Sequence, residues 1–292
     1  MADDEKNKEN TLARAQIFGK KVFFINPAYS IRQDVIPRLQ DKEFEIYIID
    51  SYKDAKNVLR LHESSVCFIN VDAQLSIDAW FNFIKSFEKE MTLKSVFVGI
   101  ISERIRREDR SIFLSEANIP GGIITVDEST DAITEEIEHI LVECNAKGMR
   151  QYVRAKITNE RDAQMFWTSD DKLFQMKLLD ISSVGMCVKV PAQMINLAQK
   201  NTVLRDLTLR IGPKQYVVDA IVFAIKPDVD GINWILLLHP NTPAQVKTAI
   251  RAYVSETIQK QMMVSINNKA EDTTDYNGIP YYKLVSGRKK SS

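Results

Sequence analysis

Gly148-Met149-Arg150-Gln151-Tyr152-Val153-Arg154 is the stretch at which the sequence changes texture. Before it, over residues 19–147, apolar runs alternate with amphipathic stretches at helical spacing. That is the pattern of a parallel α/β sheet whose strands are buried on both faces. After it, over residues 148–264, short alternating runs bounded by Asp, Ser, Gly and Pro follow one another without intervening helices, as in a small antiparallel barrel or sandwich. Two domains are therefore expected, as the length of 292 residues also favours at about 100 to 200 residues per domain.

Working upstream, the spacing predicts strands at 22–26, 44–50, 66–70, 96–101 and 122–126, a flavodoxin-like (receiver-like) layout. Helices are predicted at 54–61, 76–90, 108–117 and 129–143, the second carrying Trp80, Phe83, Ile84 and Phe87 on one face. Downstream, strands are predicted at 152–158, 173–181, 186–190, 202–211, 216–225 and 232–238, a six-stranded antiparallel β-barrel. Thr242, Pro243 and Gln245 then read as N-cap, first helical position and capping-box partner. The helix they open carries Val246, Ile250, Tyr253, Val254, Ile258 and Met262 at spacings of three and four, and is expected to pack on the barrel. Residues 1–18 and 265–292 are polar and read as a flexible N-terminus and a flexible tail.

Lys+Arg and Asp+Glu are both 39, so the net charge is zero. Capture of a nucleic acid polymer or an anionic membrane by bulk charge is thereby disfavoured, because counterion release needs a positive excess. Any anionic ligand must be caught locally. Cys67, Cys144 and Cys187 are scattered and form neither a disulfide framework nor a zinc site, as in a reducing compartment. The first ten residues are polar and acidic where a signal peptide would be basic and then apolar. No apolar run reaches the ~20 residues that span a bilayer. The expectation is a cytoplasmic protein without membrane insertion. His62, His139 and His239 are not spaced for a metal, and Gly-rich phosphate loops and nucleophile elbows are missing. A non-enzyme is expected, with neither cofactor nor metal; Asp170-Asp171, near Trp167 in an expected loop, reads as a turn.

Two short motifs carry chemistry. Arg150 and Arg154 are four apart, which keeps both on one side of either a helical end or a strand. Their planar forks can each bond two phosphate oxygens and stack on a purine face. In Asp180-Ile181-Ser182-Ser183-Val184-Gly185, the Asp180 carboxylate can accept two N–H bonds from the Watson–Crick edge of guanine. Ser182 offers a hydroxyl to a phosphate, and Gly185 permits a turn or a close approach. With 15 arginines the first pattern is weak, since about one match arises by chance and Arg106 to Arg110 is another. The second is expected fewer than about 0.1 times, so it is the ordered pair that discriminates.

With Gly231-Ile232-Asn233-Trp234, these residues make 149–262 resemble a PilZ domain, the bacterial receptor module for cyclic di-GMP. The resemblance implies a six-stranded barrel with a C-terminal helix. It further implies arginines on an N-terminal arm that folds over the ligand, an Asp, Ser and Gly element that holds it, and an effector role in motility, flagellar control, adhesion or virulence. Trp234 stands where Phe is more usual, a change that touches the core and not the site.

The first domain invites comparison with response-regulator receivers, whose chemistry needs an acidic pair, an Asp acceptor, a Ser or Thr and a Lys at successive strand ends. Asn26-Pro27 and Thr125-Val126-Asp127 stand where the acidic pair and the Lys belong, while Asp72 and Ser102 stand at the other two ends. A receiver-like domain without phosphotransfer follows, expected to serve as a protein-interaction surface. The second functional reading is an adaptor that acts through protein contacts of this domain independently of nucleotide.

Overall fold

The computed structural model describes residues 18–127, 129–229, 231–266 and 269–288. The chain divides into two compact units, Met1–Gln151 with Gln261–Ser292, and Tyr152–Lys260.

The first unit is built on five strands, β1 Val22–Ile25, β2 Ile46–Ile49, β3 Val66–Asn70, β4 Phe97–Ser102 and β5 Ile123–Thr125, each close to its predicted place. They pair in parallel in the order β2-β1-β3-β4-β5. All four residues of β1 and all five of β3 are buried, which is why these runs are continuously apolar rather than alternating. α1 Ile36–Asp41 follows a π-helical turn, Ile31–Val35. It is followed in order by α2 Tyr52–Leu59, α3 Ile77–Phe87, α4 Arg107–Glu116 and α5 Thr130–Glu143. The hydroxyls of Ser51, Ser76 and Ser129 accept from Lys53, Ala79 and Ala132 N–H and cap α2, α3 and α5. Helix α1 is an addition to the sequence reading. Pro37 lies in its first turn, where a missing N–H costs nothing, and the wide turn before it buries Ile31 and Val35.

The polar segment beyond residue 265, expected to be a flexible tail, is a correction. It returns to α2, α3 and α4 and ends in α7, Tyr281–Arg288. Tyr276 is 1 % exposed, with its ring centroid 5.2 Å from that of Phe83 and 6.2 Å from that of Tyr52. Over residues 269–287 Tyr276 is the one buried residue, while Asp272, Ile279, Tyr281 and Tyr282 are half-buried.

The second unit is an antiparallel barrel of β7 Ala163–Ser169, β8 Lys172–Ser182, β9 Gly185–Val190, β10 Val203–Ile211, β11 Lys214–Asp228 and β12 Gly231–Leu238. The order β8-β7-β10-β11-β12-β9 closes through a β8–β9 pairing. Six strands were expected, but their membership differs. The run at 152–158 contributes only β6 Ala155–Lys156, an edge piece on β8, while β7, with Trp167 in it, is the strand the sequence reading took for a loop. Asp170 and Asp171, at φ 49° and 59°, make the tight turn between β7 and β8. Met186, Val188, Trp234 and Leu236 point inward and are at most 1 % exposed.

Helix α6 Ala244–Ile266 follows β12 and buries Val246, Ile250, Val254 and Ile258 at a spacing of four. Its start departs from the capping expectation. The Pro243 carbonyl accepts the first helical N–H bonds, from Val246 and Lys247, whereas the Thr242 hydroxyl is buried and makes no hydrogen bond. Among the described residues no helix is long and apolar enough to cross a membrane.

Candidate functional site

Short-range pairing brings the second motif together. β6 lies antiparallel on β8 with Ala155 opposite Ile181 and Lys156 opposite Asp180. This sets Arg154, one residue before β6, beside the end of β8. Its Nη1 lies 3.5 Å from Asp180 Oδ1, with the two side chains 35 % and 30 % exposed. At that length and exposure the pair contributes about 0–1 kcal/mol to stability. It also leaves the guanidinium underused. Of five N–H donors, the Nε of Arg154 is buried and makes no hydrogen bond. Asp180 sits beyond an irregularity in the β8–β9 register, opposite Cys187, whose thiol is pushed up by burial and by the Asp180 charge and so stays protonated near neutrality.

Ser182 and Gly185 build the turn. Ser182 is fully buried and its hydroxyl donates to the Gly185 carbonyl at 3.0 Å. In this arrangement the Ser182 hydroxyl, expected above to serve a phosphate, closes the β8–β9 hairpin. At Gly185 a Cβ would stand 2.4 Å from the Leu236 carbonyl oxygen, because β9 lies directly against β12 with Gly185 opposite Leu237. Only glycine fits that approach. Trp234 is fully buried in the barrel interior, as its place in the sequence suggested.

Arg150 belongs to the first unit, with its guanidinium carbon 5.0 Å from the Phe18 ring centroid. The division between the units falls between Gln151 and Tyr152 and so separates the two arginines along the chain. Neither the contact of Arg150 with Phe18 nor the pairing of Lys156 with Asp180 was signalled by spacing, since both depend on how the chain returns on itself.

At the carboxyl end of the first unit's sheet, Ser102 donates to Asp72 Oδ1 at 2.5 Å and Glu103 N–H to Oδ2 at 2.6 Å. The Ser102 oxygen also accepts from Arg104 and Ile105 N–H, and Asn70 donates to the Asn26 carbonyl at 2.8 Å. Both Asp72 oxygens are therefore engaged in holding the β4–α4 loop. Among the described residues no cluster of His, Cys, Asp and Glu could hold a metal ion.

No family model matches the sequence. No curated protein matches it either. Among solved structures, the PilZ domain of Escherichia coli YcgR, with c-di-GMP, is similar over 40 % of this chain and 96 % of that one, at 13 % identity and a TM-score of 0.34. MotI/DgrA, the Bacillus subtilis inhibitor of motility, matches 41 % of this chain at 21 % identity and a TM-score of 0.31; the match spans 52 % of its own length. A CheY-like receiver domain from Methanospirillum hungatei JF-1 matches 43 % of this chain and 95 % of its own, at 11 % identity and a TM-score of 0.36.

Proposed function

We propose that this protein is a non-enzymatic receptor for cyclic di-GMP. Arg150 and Arg154 bind the phosphates and stack on guanine, Asp180 takes a guanine Watson–Crick edge, and Ser182 and Gly185 hold the turn that presents Asp180. One observation carries the reading: Arg154, just ahead of β6, and Asp180, on β8, meet half-exposed with the Nε donor of the guanidinium still unused. A phosphodiester of the ligand, brought within about 2.7–2.9 Å as such bonds require, offers those donors stronger, charge-assisted bonds than the distant carboxylate does. Release of Asp180 from Arg154 would free both its oxygens for guanine N–H groups.

The arginines flank the division between the two units. Ordering residues 150–154 around a ligand would act on the connection itself, converting ligand level into a change of domain orientation or of partner binding. Control of motility, flagellar function, adhesion or virulence is the output that the motif resemblance suggests.

Calorimetry on the full chain tests the reading. A micromolar complex is worth about −8 kcal/mol, and loss of one desolvated charged partner costs about 2 to 5 kcal/mol. Arg154→Ala and Arg150→Ala are each expected to weaken binding at least tenfold with the fold intact. Wild type that gives neither heat nor a melting shift with cyclic di-GMP overturns the proposal, and undiminished affinity in both variants places the ligand elsewhere.

A further inference from the structure

Buried charge is rare in this molecule, and its distribution is uneven. Among the described residues the charged side chains classed as buried are Lys56 at 5 % and Asp109 at 2 % exposure, and both lie beneath the returning segment 269–288. The Lys56 ammonium donates to Glu90 Oε1 at 3.3 Å, and lies 4.0 Å from Asp272 Oδ2 and 5.2 Å from the Tyr276 ring centroid. Asp109 is paired with Arg106 at 2.8 Å and also accepts the Tyr282 hydroxyl. Between them sits Asn82, at 1 % exposure. Its amide donates to the Tyr276 and Ile279 carbonyls at 2.8 and 2.7 Å, and its oxygen accepts Tyr282 N–H at 3.0 Å.

A face destined for permanent burial is ordinarily apolar, because burying charge is costly even when it is paired. A Lys, an Asn and an Asp in a row across α2, α3 and α4, set among the rings of Tyr52, Phe81 and Phe83, instead describe a mixed polar and aromatic surface. One side chain reading three main-chain groups, flanked by two tyrosine anchors, is the way proteins hold an extended peptide. The segment also arrives preshaped. Tyr276 donates to Asp272 within it, Thr274 N–H bonds Asp272, and Asn277 N–H bonds Asp275. Opening would return Lys56, Asn82 and Asp109 to water, which offsets part of the cost of uncovering Tyr52, Phe81 and Phe83.

We propose that the outer face of α2, α3 and α4 is a peptide-recognition surface, and that its ligand is the chain's own segment 269–288, held reversibly. This inference is independent of the nucleotide reading.

The test uses the full chain and a fluorescein-labelled synthetic peptide of residues 269–288. The double variant Tyr276→Ala/Tyr282→Ala loosens the tethered segment and leaves the face intact. By fluorescence anisotropy it is expected to bind the peptide at least tenfold more tightly than wild type, whose face is already filled. Adding Asn82→Ala should abolish that binding. Equal binding by wild type and the folded double variant, or binding by neither, overturns the proposal. Should the double variant fail to fold, hydrogen exchange on wild type decides. The amides of 276–279, 281 and 282 are expected to exchange at least tenfold faster than those of β1 and β3, and one shared rate for segment and sheet overturns the proposal.

Discussion

Arg154 and Asp180 hold each other loosely, whereas Ser182 and Gly185 are locked into the hairpin, so four neighbouring motif residues divide into two kinds. Removing the loose pair should leave stability almost untouched, since an exposed ion pair contributes about 0–1 kcal/mol. Asp180→Asn is accordingly expected to keep the wild-type urea midpoint while weakening cyclic di-GMP binding about tenfold or more. Gly185→Ala should behave in the opposite sense. Its Cβ meets a backbone carbonyl that cannot swing aside, so the barrel should lose about 1–3 kcal/mol, the scale of overpacking, even without ligand. Paired denaturation and calorimetry distinguish the two outcomes. The sequence motif marks all four residues but not this division, because the partner of the Ser182 hydroxyl is set by the hairpin's geometry and not by spacing. His62, stacked on Phe23 at 5.7 Å, supplies a pH test. Burial, aided by Lys21 and opposed by Glu45, lowers its pKa to about 4. The folded state thus binds fewer protons than the unfolded one between about 6.5 and about 4. Its contribution is fully present above about pH 6.5 and drains as the pH falls toward about 4. The urea midpoint of wild type should fall more between pH 7 and pH 5 than that of His62→Phe.

At the scale of elements, legibility followed the strength of the local pattern. β1 and β3 announced themselves because strands buried on both faces read as near-continuous apolar runs, Val-Phe-Phe-Ile and Val-Cys-Phe-Ile. β7 did not: Ala163-Gln164-Met165-Phe166-Trp167-Thr168-Ser169 mixes small, polar and aromatic residues, and only its pairing with β8 and β10 makes it a strand. Helix α1 was hidden by Pro37, which reads as a breaker until its first-turn position is known. The β7–β8 turn offers a check on its own chemistry. Both central residues have positive φ without being glycine, so Asp171→Gly in the type of turn that favours Asp-Gly should raise stability by roughly 0.5–1 kcal/mol. A lowered urea midpoint would mean that Asp171 supplies a bond worth more than the strain it carries.

At the scale of the whole molecule, the barrel is an insertion, with chain on both of its sides belonging to the first unit. The sequence reading divided the chain once, near residue 148, because composition changes there. The second crossing, between Lys260 and Gln261, lies inside the continuous helix α6 and has no compositional mark. If ligand ordering of 150–154 changes domain orientation, small-angle scattering from the full chain should differ with and without saturating cyclic di-GMP. Identical profiles with calorimetrically confirmed binding would remove reorientation and leave the alternative output, altered partner binding.

The insertion also has a consequence for biosynthesis. Asn82 leaves the ribosome 194 residues ahead of Tyr276, whose carbonyl it holds. At roughly 5–20 residues per second, that separation corresponds to about 10 to 40 s. Through that interval the nascent first unit carries Lys56, Asn82 and Asp109 uncovered, while every strand of the barrel is completed. The rings of Tyr52, Phe81 and Phe83, which Tyr276 and Tyr282 cover in the finished chain, stand beside those polar groups until the last stretch of chain arrives to close the face.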